Sequence, residues 1–181
     1  MKEVINNAVT ALKRGDLVIF PTETLFGIAA DALNITAVEK LFIAKKRPFD
    51  LPVPIMIGSM EALKTVAEEI PDCGLSLAKK YWPGPLTLVL RKNDYIPDLV
   101  TGGSDKIAVR IPDHEIALEI LGKFGSPLAV TSANLSGEPG AEDFNLVRKQ
   151  FMNTVDVIIP GKLKYDEPST VGDCTSGEPV M

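Results

Sequence analysis

Helical patterns alternate with short apolar runs from one end of the chain to the other. Residues 3–14 place apolar side chains on one helical face, and the helix predicted there stops at Gly15. Residues 17–20 are all apolar and predict a buried strand. The other predicted strands are 53–57, 86–90, 107–111, 128–131 and 155–159, with one or two short edge strands from Ser169 onward.

Capping residues indicate where the intervening helices begin. Thr36 and Glu39 have the spacing of a capping box, and the helix that they open ends before Pro48. The candidate N-caps of four further helices are Ser59, Asp72, Asp113 and Asp143. Several strands follow one another without a helix between them, so the pattern predicts a layered α/β (α+β) fold with a mixed sheet.

Composition narrows the classes of protein that fit this pattern. A length of 181 residues fits a single domain, residues 1–181. The net charge of −5 argues against a protein that wraps nucleic acid by charge alone. The apolar runs fall far short of the ~20 residues of a membrane span, and the first residues lack a signal-peptide pattern, so we expect a cytoplasmic protein without membrane contact. One histidine and two distant cysteines are too few for a zinc site, and no metal site is predicted.

Polar residues follow apolar strands at four places, and ligands of open α/β sheets bind where strands end. The first place is 20–27, where Thr22 and Thr24 fit either a capped turn or a binding site. The second is Lys45–Arg47, followed by Pro48. These cations either complement the dipole of the helix end or, fixed by the proline, clamp a polyphosphate.

The third place is Arg110, which shares one face of its strand with Ala108. A partly buried arginine needs an anionic partner, which is either a structural carboxylate or a substrate carboxylate. The fourth place is 129–140, where a buried strand runs into small and polar residues that include Ser132 and Asn134. Small side chains leave backbone N–H groups uncovered, so this loop can hold phosphate without a lysine of its own.

Several common catalytic motifs are missing from the sequence. The chain contains neither a P-loop motif, nor the dinucleotide-binding glycine pattern, nor a nucleophile elbow. The single histidine, His114, lies beside Asp113 and Glu115 and is interpreted as a solvated residue at a helix start rather than a base. Hydrolysis by a catalytic triad is therefore not expected.

Six segments, taken in order, resemble the YrdC-like family. They are Pro21-Thr22-Glu23-Thr24 with Phe26-Gly27, Lys45-Lys46-Arg47-Pro48, Trp82-Pro83-Gly84-Pro85-Leu86-Thr87, Ala108-Val109-Arg110-Ile111-Pro112, Ser132-Ala133-Asn134-Leu135-Ser136-Gly137 and Pro168-Ser169-Thr170-Val171. The resemblance implies a twisted mixed sheet whose surrounding helices leave a large concave cavity.

The resemblance also implies an activity, that of a threonylcarbamoyl-AMP synthase, a nucleotidyltransferase. Such an enzyme condenses L-threonine, bicarbonate and ATP, with Mg²⁺, and releases pyrophosphate. A downstream complex then transfers the threonylcarbamoyl group to an adenosine of tRNA, and weak contact of the enzyme itself with tRNA is a further expectation.

Site residues follow from the same resemblance, position by position. The residues expected to bind threonine are Thr24, Arg110 and Ser169. The residues expected at the nucleotide are Arg47, Ser132, Asn134, Lys106 and Gly140. Lys45 and Arg47 are expected to act in catalysis, by stabilising charge on phosphate oxygens.

Three positions depart from the family pattern: Phe26 replaces a frequent tyrosine, and Leu51 and Met56 replace polar residues. The family pattern continues beyond Met181 into a strand with an arginine that helps hold ATP, and longer relatives carry a further C-terminal domain. Two alternatives remain open at this point, a module that binds tRNA or double-stranded RNA and an inactive paralogue with a regulatory role. Acidic net charge argues against the first, and the intact Lys45, Arg47, Ser132 and Asn134 argue against the second.

Overall fold

Eight strands form one mixed sheet in the computed structural model, which describes residues 1–139, 141–165, 169–176 and 179–180. The strands are β1 (Val18–Pro21), β2 (Phe26–Asp31), β3 (Ile55–Met56), β4 (Leu86–Arg91), β5 (Lys106–Arg110), β6 (Leu128–Ser132), β7 (Val157–Ile158) and β8 (Thr170–Asp173). Their order across the sheet is β7-β1-β2-β6-β3-β5-β4-β8. The predicted mixed α/β sheet is confirmed, because β1–β7, β3–β5 and β4–β8 pair in parallel and the other neighbours are antiparallel.

Helices cover the sheet on both faces. They are α1 (Lys2–Lys13), α2 (Ile35–Lys45), α3 (Asp72–Tyr81), α4 (Asp98–Thr101), α5 (Glu115–Phe124) and α6 (Phe144–Phe151), with a 3₁₀ helix at Glu61–Thr65. Within the described part of the chain, none of them is long and apolar enough to cross a membrane.

Two apolar cores lie on opposite faces of the sheet. The first packs α2 on β2 and α3 on β4, around residues such as Ile28, Leu88 and Val109. The second packs α1 and α5 on β1, around residues such as Leu12 and Phe20. Helices therefore bury the apolar strand residues that alternate between the two faces.

The second face is less well covered where β4, β5 and β8 pair. Val89 and Ala108, which are opposite each other in the β4–β5 register, are half-buried, and Val171 of β8 is 52% exposed. Arg110 lies on this same face, two residues beyond Ala108. This open half of the sheet is where the candidate site lies.

The sequence pattern misses a central strand. β2 lies between β1 and β6, whereas the sequence pattern assigns no strand to residues 26–31. Gly27 and the two alanines that follow Ile28 have weak intrinsic strand preference, so pairing with strands on both sides decides the conformation of this segment. A side chain at Gly27 would begin 2.7 Å from Val130 Cγ1, so only glycine fits here without a shift. The short helix α4 is likewise not predicted.

The N-cap of α2 differs from the predicted one. Asn34, not Thr36, precedes the helix, and its side-chain oxygen accepts a hydrogen bond from the Ala37 backbone N–H at 3.2 Å. Asp143 is confirmed as the N-cap of α6, because it accepts from the backbone N–H groups of Asn145 and Leu146. Ser59 and Asp72 are wrong by one residue each, since Met60 and Pro71 occupy those cap positions.

His114 is the N-cap of α5, where Asp113 was expected. Its Nδ1 accepts from the Ile116 backbone N–H at 3.3 Å, and its Nε2 lies 3.1 Å from the Lys162 carbonyl oxygen. The residue is only 8% exposed, so the prediction of a solvated histidine is wrong. Asp113 instead forms an ion pair with Lys164 at 3.0 Å.

Candidate active site

A cavity of about 150 Å³ opens on the open half of the second face, beside the start of β2 and the ends of β5 and β6. Thr24, Arg110 and Ser169, the three residues predicted for threonine, line it together with Ser132. The other residues that line it are Thr22, Leu25, Phe26, Gly27, Pro54, Met56, Thr87, Val130 and Thr131. The fold thus brings residues from positions 24 to 169 into a single pocket, called the hydroxyl pocket here because five threonine and serine residues besides Ser132 surround it.

The threonines after β1 are fixed by a local turn. The Thr22 hydroxyl donates to the Leu25 carbonyl at 2.7 Å and accepts from the Leu25 backbone N–H at 3.2 Å. The Thr22 and Thr24 hydroxyls lie 3.3 Å apart, and both side chains are buried. Of the two interpretations of this segment, the capped turn is confirmed, and both threonines also line the hydroxyl pocket.

Arg110 is paired with a buried glutamate. Its Nη1 donates to Glu23 Oε1 at 2.9 Å, and Glu23 is completely buried. Burial lowers the pKa of Arg110, and the Glu23 charge opposes that shift. Glu23 Oε2 has no hydrogen-bond partner among the described residues. The structural carboxylate that the sequence offered as one of two alternatives is therefore Glu23.

Most of the N–H donors of Arg110 form no hydrogen bond to the described residues. A guanidinium group carries five N–H donors, and among the described residues only the bond to Glu23 engages them. Met56 lies next to Arg110 in the parallel β3–β5 register and forms an apolar wall of the hydroxyl pocket. The site therefore combines one cation with hydroxyl groups and apolar surface, a set suited to a small amino acid.

Thr87 is a site residue that the sequence does not single out. Its hydroxyl lies 3.0 Å from the Ser169 hydroxyl, and it faces the hydroxyl pocket from β4. Thr87 is the one polar residue among the apolar residues 86–90, and it continues the β4–β5 register opposite Arg110. The signal in the sequence that could have identified Thr87 is a hydroxyl-bearing residue within an otherwise apolar strand.

Lys45 ends α2 with its ammonium group inside the protein. Lys45 Nζ donates to the carbonyl oxygens of Ser132 and Asn134, the second at 2.7 Å, and lies 3.5 Å from Asn134 Oδ1. Only 1% of the residue is exposed. Burial, reinforced by repulsion from Arg47, lowers the pKa of Lys45 to about 8.

Arg47 lies two residues beyond the end of α2. Its Nη2 donates to the Pro52 carbonyl at 2.7 Å, and its Nε is buried with no hydrogen-bond partner in the described part of the chain. Burial lowers the pKa of Arg47, although the group is only half-buried and stays charged. The intervening Lys46 has a left-handed backbone with φ 51°, which redirects the chain between the two cations.

The loop after β6 contacts both the start of β2 and the end of α2. The Ala133 N–H donates to the Phe26 carbonyl at 2.8 Å, and the Ser136 N–H donates to the Lys45 carbonyl at 2.9 Å. The Asn134 side-chain amide donates to the Glu138 carbonyl at 2.8 Å. The loop 132–136 thus joins the hydroxyl pocket to the end of α2.

One residue predicted for the nucleotide, Lys106, lies apart from this cluster. Lys106 begins β5, roughly 13 Å along the strand from Arg110, and forms an ion pair with Asp173 at 2.9 Å. Its role at the nucleotide stays a prediction. Gly140 lies outside the described residues. Within the residues described, no group of three histidine, cysteine or acidic side chains is placed to hold a metal ion.

Comparison with known proteins identifies the family. Residues 10–181 match the Sua5/YciO/YrdC family model, which carries the description "Telomere recombination". The chain belongs to this family. A Sua5 protein of Pyrococcus abyssi, solved in complex with L-threonine, superimposes with a TM-score of 0.90 at 44% identity, over 93% of this chain and 50% of that one. The Sua5/YciO/YrdC fold that the sequence predicted is thereby confirmed.

Relatives of this Sua5/YciO/YrdC chain carry a consistent name. A protein of Pyrococcus abyssi called threonylcarbamoyl-AMP synthase is 44% identical over 178 residues, which is 98% of this chain and 52% of that protein. A protein of the same name from Klebsiella pneumoniae is 32% identical over 178 residues, 97% of this chain and 94% of its own length. The chain therefore spans about half the length of the Pyrococcus relative and nearly all of the Klebsiella one.

Proposed function

We propose that this chain is a threonylcarbamoyl-AMP synthase, which condenses L-threonine, bicarbonate and ATP and releases pyrophosphate. The observation that carries the proposal is the convergence of Thr24, Arg110 and Ser169 on one pocket whose wall continues into the loop 132–136. A relative that shares 44% of its sequence and binds L-threonine in its crystal structure supports the same choice of substrate.

Arg110 is the proposed ligand of the threonine carboxylate. Its free donors lie in the hydroxyl pocket, and a charge-assisted pair with a planar carboxylate suits the guanidinium geometry. The pair with Glu23 fixes the orientation of the arginine before substrate arrives. The hydroxyl groups of Thr24, Thr87 and Ser169 supply partners for the polar groups of threonine.

The proposed chemistry needs placement more than a strong base. The threonine amine and bicarbonate give a carbamate and water, and a carbamate oxygen then attacks the α-phosphorus of ATP. The bond between the α-phosphorus and the bridging oxygen breaks, and its electron pair leaves with pyrophosphate. Because charge spreads over phosphate oxygens, cations and backbone N–H groups accelerate this step.

Arg47 and the hydroxyl group of Ser132 are the proposed phosphate contacts. The backbone N–H groups of Ala133, Asn134 and Ser136, which the sequence suggested for this role, already donate to carbonyl oxygens of the protein. Arg47 is half-buried with donors that the described residues do not use fully, and Ser132 faces the hydroxyl pocket where the carbamate would form. Mg²⁺ is proposed to arrive with ATP as part of the substrate. A downstream complex would transfer the threonylcarbamoyl group to tRNA, and any direct contact of this chain with tRNA would be weak because the net charge is −5.

A pyrophosphate-release assay tests the proposal. We expect release from ATP only when threonine and bicarbonate are both present, since the carbamate must exist before the α-phosphorus is attacked. Serine and valine are matched controls, because each keeps part of the threonine side chain. Release that is indifferent to threonine would contradict the proposed function.

Replacing Thr87 by valine should raise the KM for threonine by up to roughly tenfold, because one neutral hydrogen bond contributes about 0.5–1.5 kcal/mol. Valine matches the shape of threonine but removes the hydroxyl that lies 3.0 Å from Ser169. Steady-state kinetics at saturating ATP measure the effect, with Thr65→Val, an exposed threonine of the 3₁₀ helix, as the control. An unchanged KM would remove Thr87 from the site.

A further inference from the structure

Lys45 is buried without an acidic partner. Among the described residues that are buried and charged, Glu23 and Arg110 pair with each other, whereas Lys45 forms no ion pair. A buried ammonium group is costly unless its donors are satisfied. Three oxygens of one loop surround it: the carbonyls of Ser132 and Asn134 and the Asn134 side-chain oxygen.

The same residue also holds the loop through its backbone. The Lys45 carbonyl accepts the Ser136 N–H at 2.9 Å, so its side chain and main chain together contact positions 132, 134 and 136. Inside the loop, the Asn134 N–H donates to the Ser132 carbonyl at 3.0 Å. A single residue at the end of α2 therefore sets the path of the chain as it leaves β6.

This loop separates two cavities. Ser132 lines the hydroxyl pocket, whereas Asn134 lines a second cavity of about 450 Å³ that reaches to α6. A shift of the loop would change both cavities at once. Ser132 is also held by the pairing of β6 with β2, opposite Gly27, whereas Asn134 and Ser136 lie beyond the end of the strand.

We infer that Lys45 is a positioning residue, which acts on the nucleotide by fixing the loop 132–136 and does not itself contact phosphate. The inference rests on the proposed function for its link to ATP. A lysine has three N–H donors, and three loop oxygens face them. A phosphate contact would have to break at least one of these bonds in a site that water barely reaches.

The test compares Lys45→Met with Lys46→Met. Methionine keeps an unbranched chain of similar length but has no donors. Lys46 is the exposed neighbour, so its replacement removes the same charge from the same region without touching the loop oxygens. We expect amide hydrogen exchange at Asn134 and Ser136 in the ligand-free protein to become at least about tenfold faster in Lys45→Met and to stay unchanged in Lys46→Met.

Nucleotide binding separates positioning from phosphate contact. If Lys45 acts through the loop, Lys45→Met should weaken the binding of ATP and at the same time speed amide exchange at Asn134 and Ser136, whereas a direct phosphate contact would weaken ATP binding with exchange unchanged. Unchanged exchange at Asn134 and Ser136, with ATP binding weakened, would overturn the inference. The exchange measurement needs no substrate, so it stands even if the pyrophosphate assay fails, and a failed exchange result leaves that assay untouched.

A measurement on the unmodified protein covers the case in which Lys45→Met does not fold. The ¹⁵N resonance of the Lys45 ammonium group, followed during an ATP titration, should keep its ligand-free position because its three oxygens stay in place. Coupling of that nitrogen to phosphorus, or a large shift that ATP causes and adenosine does not, would overturn the inference.

Discussion

Replacing Arg110 by methionine together with Glu23 by glutamine is expected to raise the KM for threonine by roughly 30- to 1000-fold, with the KM for ATP nearly unchanged. The double change removes both charges of the buried pair, so neither is left without a partner. The lost charge-assisted pair between Arg110 and the threonine carboxylate corresponds to about 2–4 kcal/mol. Pyrophosphate release at varied threonine and fixed ATP, followed by the reverse titration, measures both constants.

Single variants provide the controls for this pair. Glu23→Gln keeps an oxygen that can accept from Arg110 and should change the threonine KM only modestly. Arg110→Met alone leaves Glu23 buried and unpaired, so it should lower the free energy of unfolding by about 3–5 kcal/mol. A folded double variant with the threonine KM of the parent protein would show that Arg110 serves the fold and not the substrate.

Arg47→Ala should lower kcat by roughly 100- to 1000-fold, the range found when one preorganised stabiliser of a transition-state charge is removed. Stability should change little, because the group is half-buried and one bond to the Pro52 carbonyl contributes about 1 kcal/mol. A chain of this size would then lose about 2–4 °C in Tm. Turnover at saturating substrates and a thermal melt of the same preparation give the two values.

Two further substitutions sharpen the Arg47 experiment. Arg47→Lys keeps the charge but loses the planar fork, so its kcat should fall between those of the parent and Arg47→Ala. Arg148→Ala removes an exposed arginine of α6 and should have no effect on turnover. A kcat for Arg47→Ala close to that of the parent would exclude a catalytic role for this residue.

Part of this site is predictable from local sequence because its polar residues follow directly after apolar strands. Arg110 and Ser132 each follow apolar strand residues, and strand ends that meet at one edge of a sheet bring such residues together. Asp143 could be assigned as an N-cap because the capping interaction lies within three residues of sequence. Features of this kind can be predicted because the residues that interact are close together in the sequence.

The rest of the site could not be predicted, because it depends on contacts between residues that are far apart in the sequence. The carboxylate that pairs with Arg110 lies 87 residues away, and the loop oxygens that bind Lys45 lie 87 and 89 residues away. From the sequence alone, both cations fit a role as substrate ligands, because the oxygens that they bind within the protein become known only from the structure. Strand β2 escaped prediction for a similar reason, since neighbouring strands and not its own small residues hold it in the sheet.

The central claim is that the chain joins threonine, bicarbonate and ATP into one molecule. Mass spectrometry of a reaction with ¹³C-bicarbonate tests it most directly, because the label reports the origin of the carbonyl carbon. The account predicts labelled threonylcarbamoyl-AMP in amounts equal to the pyrophosphate released, with none formed when any one substrate is omitted. Pyrophosphate release without a labelled adduct that contains threonine would contradict it.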